Sequence, residues 1–473
     1  TQSTWGQSAM ATVCSTEVAI IPSPGMGHLI PLTELAKKLV GSHGLNVTLI
    51  IPSSSSPSTA QKVVLANLPS SIKSVLLPLV NLDDLPPSDR NIETIISEVM
   101  ARSIPSIREV LRSIVSVGSR LATVVLDLFG TAVIGVAREF NASPYIFFPS
   151  SAMVLSLLFY LPELDTMVDS EYREIDRVEI PGCLPIHGGH LLDPLQDRTR
   201  SGYKWVLRHA GAYANADGIL LNSFAELEKN AIEALRARHP KTYPVGPLIN
   251  ADHRPREVCL EWLNQQPKGS VLYVSFGSGG TLTHEQTYEL ATGLEMSGQR
   301  FLWVLRSPSD GAKNSAYFAV NSDSDPFYFL PEGFQERTKS KGMVMKSWAP
   351  QASILSHGST GGFLSHCGWN SILESVVHGV PVIAWPLFAE QKMNSLIVTE
   401  EIGIGLNAEV TDRTGIVVRE EIERVVRSLM DGEDGKRVRR RVKEVKNAAM
   451  EAMSEAGCST SNLSSVASMW KDE

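Results

Sequence analysis

Apolar residues arrive along this chain in short continuous blocks, and the stretches between the blocks carry helical spacing. In the first half the blocks are "EVAIIPS", "LNVTLIIP", "KSVLLPL", "ATVVLDLFG", "PYIFFPSS" and "ADGILLNS". Each reads as a buried strand, and helices between strands imply parallel β-α-β units. After "VGPLINADHRPREVCLEWL" the rhythm restarts with "SVLYVSFGS", "RFLWVLRS", "GMVMKSW", "GGFLSH", "VPVIAWP" and "GIGLNAE", which predicts a second sheet. The fold class is therefore α/β, with two Rossmann-like parallel-sheet domains facing a cleft. The expected divisions are an N-terminal domain over 10–245, a Pro-rich and polar linker over 246–257, a C-terminal domain over 258–455 and a closing segment over 456–473.

Two segments lack either period. Ser53 to Pro57 and Asp310 to Asp325 read as surface loops, the second as a rim of the cleft. The tail from Asp434 predicts a helix with a basic, solvated face. The apolar run "SSAMVLSLLFYL" is well short of the roughly 20 residues that span a bilayer, so it reads as core and no membrane span is expected.

Composition narrows the partner. A chain of 473 residues, 43% hydrophobic and 20% charged, is long enough for two or three domains with a large core. Its formal net charge of -8 argues against non-specific nucleic-acid binding, which depends on Lys and Arg neutralising phosphates. A small-molecule partner is expected. Cys14, Cys183, Cys259, Cys367 and Cys458 are scattered without C-x-x-C pairs, which suggests neither a disulfide framework nor a zinc ribbon and fits a reducing cytoplasm. The stretch before Met10 carries no secretory pattern and is set aside from the fold. Nothing in the chain demands more than a monomer.

Ligands of open parallel sheets bind beyond the carboxyl ends of the strands, so polar residues just after each apolar block are the candidates. They are His28 and Asp127 in the first half, and Ser278, Trp348, His366, Glu390 and Gln391 in the second. His28 lies in "PSPGMGHLIPLTELAKKLV", a strand, glycine loop and helix, with Leu32, Leu35, Ala36 and Leu39 on one helix face and Pro31 in an early-turn position. The spacing is not the dinucleotide fingerprint, and no Walker lysine follows. His366 precedes "CGWNSILESVVHG", whose helix start offers unpaired N–H groups to an anion, with Asn370 and Ser371 as further donors. Ser371 and Glu374 also fit a capping box, which would only satisfy the helix end, and the local pattern favours that reading. Trp348 by itself reads as core.

The stretch from Trp348 to Gln391, "WAPQASILSHGSTGGFLSHCGWNSILESVVHGVPVIAWPLFAEQ", resembles the signature box of plant family 1 UDP-glycosyltransferases. "PSPGMGHLIPL" and "GILLNSFAELE" extend the resemblance over the whole chain, which looks closest to the hydroquinone, monolignol and indoxyl glucosyltransferase group. The resemblance implies a GT-B fold, with acceptor on the N-terminal side, UDP-sugar on the C-terminal side and the last helix crossing back. By position it puts Trp348 on uracil, the Ala349 backbone on the base and Gln351 near the ribose. Glu374 takes the ribose hydroxyls. Ser278, His366, Asn370 and Ser371 hold the diphosphate, and Trp369, Glu390 and Gln391 meet the sugar. Gln391 matches the glucose-preferring form of the box, so UDP-glucose is the implied co-substrate, with no cofactor and no metal. The Ser53 to Ser56 cluster and the loop around Tyr317 lie where members vary, at the acceptor pocket.

A phenol or alcohol attacking the anomeric carbon must lose a proton, and histidine is the best-matched base near neutral pH. His28, placed before a helix, should feel the positive dipole end and stay neutral, while Asp127 holds its other nitrogen. The resemblance assigns this pair to catalysis. The UDP leaving group needs charge stabilisation from the helix start, His366, Asn370 and Ser371. In-line displacement then inverts the α-anomeric carbon and gives a β-glucoside. Phe129, two places after Asp127, is positioned to line a pocket for a flat aromatic acceptor, and Phe147, Phe148 and Phe159 read mostly as core. Other readings stay open at this level: His28 as a satisfied loop histidine, Asp127 as a turn residue before Gly130, and the whole as a non-catalytic nucleotide-sugar binder or a nucleotide-sugar epimerase. An NAD-dependent dehydrogenase is the weakest.

Overall fold

The structure is a computed structural model that describes residues 16–250, 257–311, 325–410 and 415–472. Strands β1 (Thr16–Ile21), β2 (Asn46–Ile51), β3 (Ile72–Leu76), β4 (Arg120–Asp127), β5 (Ser143–Phe148), β6 (Gly218–Leu221) and β7 (Thr242–Pro244) form the first sheet in the order β3-β2-β1-β4-β5-β6-β7. The second sheet is built of β8 (Val271–Ser275), β9 (Arg300–Leu305), β10 (Gly342–Lys346), β11 (Thr360–Ser365), β12 (Val382–Ala384) and β13 (Gly405–Asn407), in the order β10-β9-β8-β11-β12-β13. Every strand pair is parallel. Helices cover both faces of such sheets, and so the central strands are apolar throughout rather than alternating. Each expected block holds a strand. Strand β7 was not foreseen, because three residues ending in Pro244 at a sheet edge carry no apolar run, and an edge is where a strand proline is tolerated.

Both sheets reverse their strand order in the same way, between β1 and β4 in the first and between β8 and β11 in the second. At such a switch point the connections leave in opposite directions and open a crevice at the carboxyl edge. The two crevices face each other.

The packing is continuous across the two halves. One apolar cluster runs from the first sheet's Leu126, Ile146 and Phe148 to Trp369, Ile372 and Val382 in the second half. The run read as core from its length is the helix Ala152–Met167, with Ala152 through Leu158 buried. No helix among the described residues is long and apolar enough to cross a membrane. The basic tail is the helix Glu433–Ala452, which buries Val438, Val442, Val445 and Ala449 and turns its charges outward.

The helix Cys458–Asp472 leaves the second half and packs Leu463, Val466, Ala467 and Trp470 with Val18, Leu32 and Val125 of the first. Trp470 is fully buried and meets Tyr145 edge-on, with ring centroids 5.1 Å apart. The Arg120 guanidinium donates to the carbonyls of Trp470 and Lys471, satisfying groups that a helix end leaves unpaired. Residues 53–57 form no regular element. Most of the second poorly patterned loop, and residues 251–256 of the expected linker, lie outside the described residues, as do Met10, Cys14 and Tyr317.

Candidate active site

Strand β1 gives way to Gly25, whose φ of 126° is open to glycine and strained for other residues, and the helix Met26–His43 starts directly after it. His28 therefore sits in the first helical turn, not in a loop before the helix, and its N–H bonds the Gly25 carbonyl at 3.3 Å. Pro31 is also further in than expected, inside the helix and past its first turn. Asp127 closes the neighbouring strand β4 and is wholly buried. Adjacent strands at a switch point thus bring together residues 99 positions apart, with His28 Nδ1 2.9 Å from Asp127 Oδ2. A carboxylate can only accept, so Nδ1 carries the proton and Nε2 is left as the acceptor.

Burial works against an imidazolium at His28, but the charge of Asp127, its hydrogen bond and the charge of Glu390 outweigh it, and the pKa is raised. This reverses the expectation from the helix dipole. The physical reason is range: a carboxylate at contact distance dominates partial charges spread over a helical turn. Phe129 follows edge-on to His28, centroids 5.7 Å apart, and edge-on to His209 at 5.6 Å. His209 bonds Ser97 Oγ and Thr131 Oγ1, and burial pushes its pKa down to about 4, so it is a neutral wall residue.

In the second half, Gly277 follows β8 at φ 74°, and a Cβ there would lie 2.5 Å from His366 Nε2. Gly368 is equally tight against the same nitrogen, so two glycines make the space in which the imidazole of His366 fits. Burial lowers its pKa to about 4, and its Nδ1 is buried with no partner among the described residues. The helix Trp369–His378 begins next, with Gly368 as N-cap and no side-chain cap. The expected capping box is absent. Ser371 lies in the first helical turn and Glu374 one turn further, and both accept from Gln351 Nε2, at 2.9 and 2.7 Å. Burial pushes the Glu374 carboxyl up to about 7, with the Gln351 bond opposing it.

Trp348 is 49% exposed rather than core, and its indole stands at the cavity wall next to buried Ala349. Trp369 is buried, and its Nε1 donates across to the Asn222 carbonyl at 2.8 Å. Asn370 Nδ2 likewise reaches the Gly27 carbonyl at 2.8 Å. Glu390 accepts from Asn394 at 3.2 Å and from Ser150 of the first half at 3.3 Å. The Gln391 amide oxygen is committed to the N–H groups of Leu387 and Phe388.

His28 and Phe129 on one wall, and Trp348, His366, Trp369, Asn370, Ser371, Glu374, Glu390 and Gln391 on the other, line one cavity of about 1140 Å³ between the carboxyl edges of the two sheets, while Asp127 is buried out of the cavity and reaches it only through His28. Ser278 lines it beside Arg306, whose guanidinium donates to the Ser278 carbonyl. Sequence reading missed Arg306, although it directly follows the β9 block in "RFLWVLRS" and the strand-end rule would have found it. It also missed Glu93, a wall carboxyl that burial pushes up to about 7, because a helix-start glutamate carries no distinguishing pattern. Among the described residues no group of three or more His, Cys, Asp or Glu is placed to hold a metal ion.

Residues 226–441 match the model of the UDP-glucoronosyl and UDP-glucosyl transferase family. The chain is 55% identical to UDP-glycosyltransferase 72B1 of Arabidopsis thaliana, covering 96% of each sequence, and 50% identical to the hydroquinone glucosyltransferase of Rauvolfia serpentina, covering 96% of this chain and 98% of that one. It superposes at a TM-score of 0.91, with 48% identity over 97% of this chain and 99% of the other, on a UDP-glucosyltransferase from Polygonum tinctorium capable of glucosylating indoxyl. A Phytolacca americana enzyme, UGT2, complexed with UDP-2-fluoro-glucose and pterostilbene, gives 0.88 at 45% identity, covering 97% of this chain and 100% of that one. The two facing parallel-sheet domains are those of the GT-B fold, and this chain belongs to the plant family 1 UDP-glycosyltransferases.

Proposed function

We propose that the protein transfers glucose from UDP-glucose to a hydroxyl of a small aromatic acceptor, with inversion, giving a β-glucoside and UDP. The observation that carries this reading is His28 on one wall of the cavity, held from behind by buried Asp127 at 2.9 Å and opposite the wall that carries His366 and Glu374. A base belongs opposite the nucleotide cradle, where an acceptor can lie between it and the anomeric carbon.

The steps follow from the groups present. The acceptor oxygen attacks the anomeric carbon as its proton passes to His28 Nε2. The bond from that carbon to the phosphate oxygen breaks, and its electron pair leaves with UDP. Asp127 stabilises the imidazolium formed, and such a base contributes about 10²–10⁴ in rate. Neutral His366, Asn370, Ser371 and the uncapped helix start stabilise the diphosphate, with Ser278 beside them. Trp348 stacks on uracil, the Ala349 backbone reads the base, and Gln351 with Glu374 holds the ribose. Trp369, Glu390 and Gln391 border the sugar. The N-terminal domain is thus the acceptor side, the C-terminal domain the donor side, and the helix Cys458–Asp472 the segment returning to the first.

Phe129 and the apolar wall behind it favour a flat acceptor. The hydroquinone and indoxyl glucosylation named for two relatives points to phenol, monolignol or indoxyl types, with amines as further candidates. We assign no metal or other cofactor to the reaction, and place the enzyme in the cytoplasm as a monomer. The test is purified protein with UDP-glucose and a panel of hydroquinone, coniferyl alcohol, indoxyl, a flavonol and a chlorinated aniline, read by mass spectrometry beside His28→Ala. Hexose addition by the parent and a loss of two orders of magnitude or more in the variant is expected. Tight UDP-glucose binding without transfer to any acceptor would favour a nucleotide-sugar sensor instead.

A further inference from the structure

Pro31 sits inside the helix that carries His28, four residues after Gly27. A proline there has no N–H to give to the carbonyl four places earlier, and its ring crowds that same carbonyl. The Gly27 carbonyl is thus denied its helical partner. In the structure it accepts from Asn370 Nδ2, 2.8 Å away, at the start of the helix that follows β11 in the other half. Asn370 Oδ1 is buried with no partner among the described residues, so the bond from Nδ2 to Gly27 is what fixes the amide. One hydrogen bond then joins the residue next to the base to the first turn of the helix that faces the diphosphate.

We propose that Pro31 is a positioning residue. By withholding an N–H, it keeps the Gly27 carbonyl open for Asn370, and that contact sets the spacing between His28 and the donor-side helix. The inference rests on the reading of His28 as the base. Pro31 itself touches no reacting group. Replacing it by alanine returns an N–H to the helix, draws the Gly27 carbonyl back along the axis and loosens the cross-cleft bond. Pro31→Val does the same while keeping more of the buried side-chain volume, which separates this effect from a packing defect.

The experiment is a double-mutant cycle of Pro31→Ala and Asn370→Ala, repeated with Pro31→Val, measuring kcat, KM and UDP affinity by calorimetry. Pro31→Ala and Pro31→Val should bind UDP within about twofold of the parent but lose about tenfold or more in kcat, since small misplacements of a base are costly. In the Asn370→Ala background the same changes should cost nothing more, because the bond they disturb is already gone. Equal losses in both backgrounds, or full kcat in both single proline variants, would overturn the proposal. His28→Ala, run alongside, separates the two readings: full turnover there would sink the base assignment itself, whatever the cycle returns.

Discussion

His28 and Glu374 are both pulled away from their ordinary titration, in ways that opposite measurements reveal. For His28 the raised pKa means that the free base is lost as pH falls through a value higher than that of an unperturbed histidine. Asp127→Asn removes both the charge and the carboxylate bond, leaving burial, which lowers the pKa, opposed only by the charge of Glu390. The acidic limb of kcat/KM should move to lower pH by about one unit or more, while the plateau falls; an unmoved limb would sink the pairing. The sign for stability is opposite to that for activity. A raised folded pKa stabilises the fold fully below the unfolded histidine value, and this is lost as pH rises through the folded one. For Glu374, burial raises the folded pKa to about 7, so the ionised carboxylate costs stability above that pH and little below about 5. Glu374→Gln should therefore raise Tm at pH 8, leave it nearly unchanged at pH 5, and weaken UDP-glucose binding about tenfold or more. Calorimetry at the two pH values checks both parts. Glu374 is thus a group that the fold carries at a cost, as expected of a residue kept for a ligand.

At the element scale, the same spacing served two purposes and the local pattern chose the wrong one. Ser371 and Glu374 are three apart, which suits a capping box and equally suits two side chains on one helix face. Gly368 took the N-cap position, and Gln351, 20 and 23 residues earlier in the chain, collected both side chains. That outcome depends on a partner no window of a dozen residues contains. The helix Cys458–Asp472 makes the complementary case. That the last helix crosses back was implied by the family resemblance alone, and what it covers, the sheet around Val18 and Val125, lies hundreds of residues away. Trp470 is its anchor. Trp470→Ala should lower stability by about 3–5 kcal/mol, the usual cost of emptying a buried aromatic site. Denaturant unfolding checks this, and kcat of the folded fraction should change little, since no residue of the helix lines the cavity.

On the scale of the whole molecule, the two halves are held in register by a few directional contacts around the cavity. The Trp369 indole N–H on the Asn222 carbonyl, the Asn370 amide on Gly27, the Asp193 N–H on the Ala389 carbonyl and the Ala389 N–H on the Asp193 carboxylate all cross the cleft. Trp369→Phe keeps an aromatic ring, though a smaller one, and leaves the Asn222 carbonyl without the indole N–H, so a loss of about 1–3 kcal/mol or more is expected in denaturant unfolding. No loss would mean that this hydrogen bond adds nothing to what the apolar packing and the other cross-cleft contacts already hold. The chain's own sequence determined the α/β class, both sheets, the strand-end candidates and the family box, because each is written in a local period or a contiguous motif. Register, the choice of cap, the sign of the His28 shift and the place of Glu93 in the cavity wall were decided only by the tertiary structure. These depend on which strand ends become neighbours and how much water their side chains lose, and neither distance nor desolvation is a property of a linear segment.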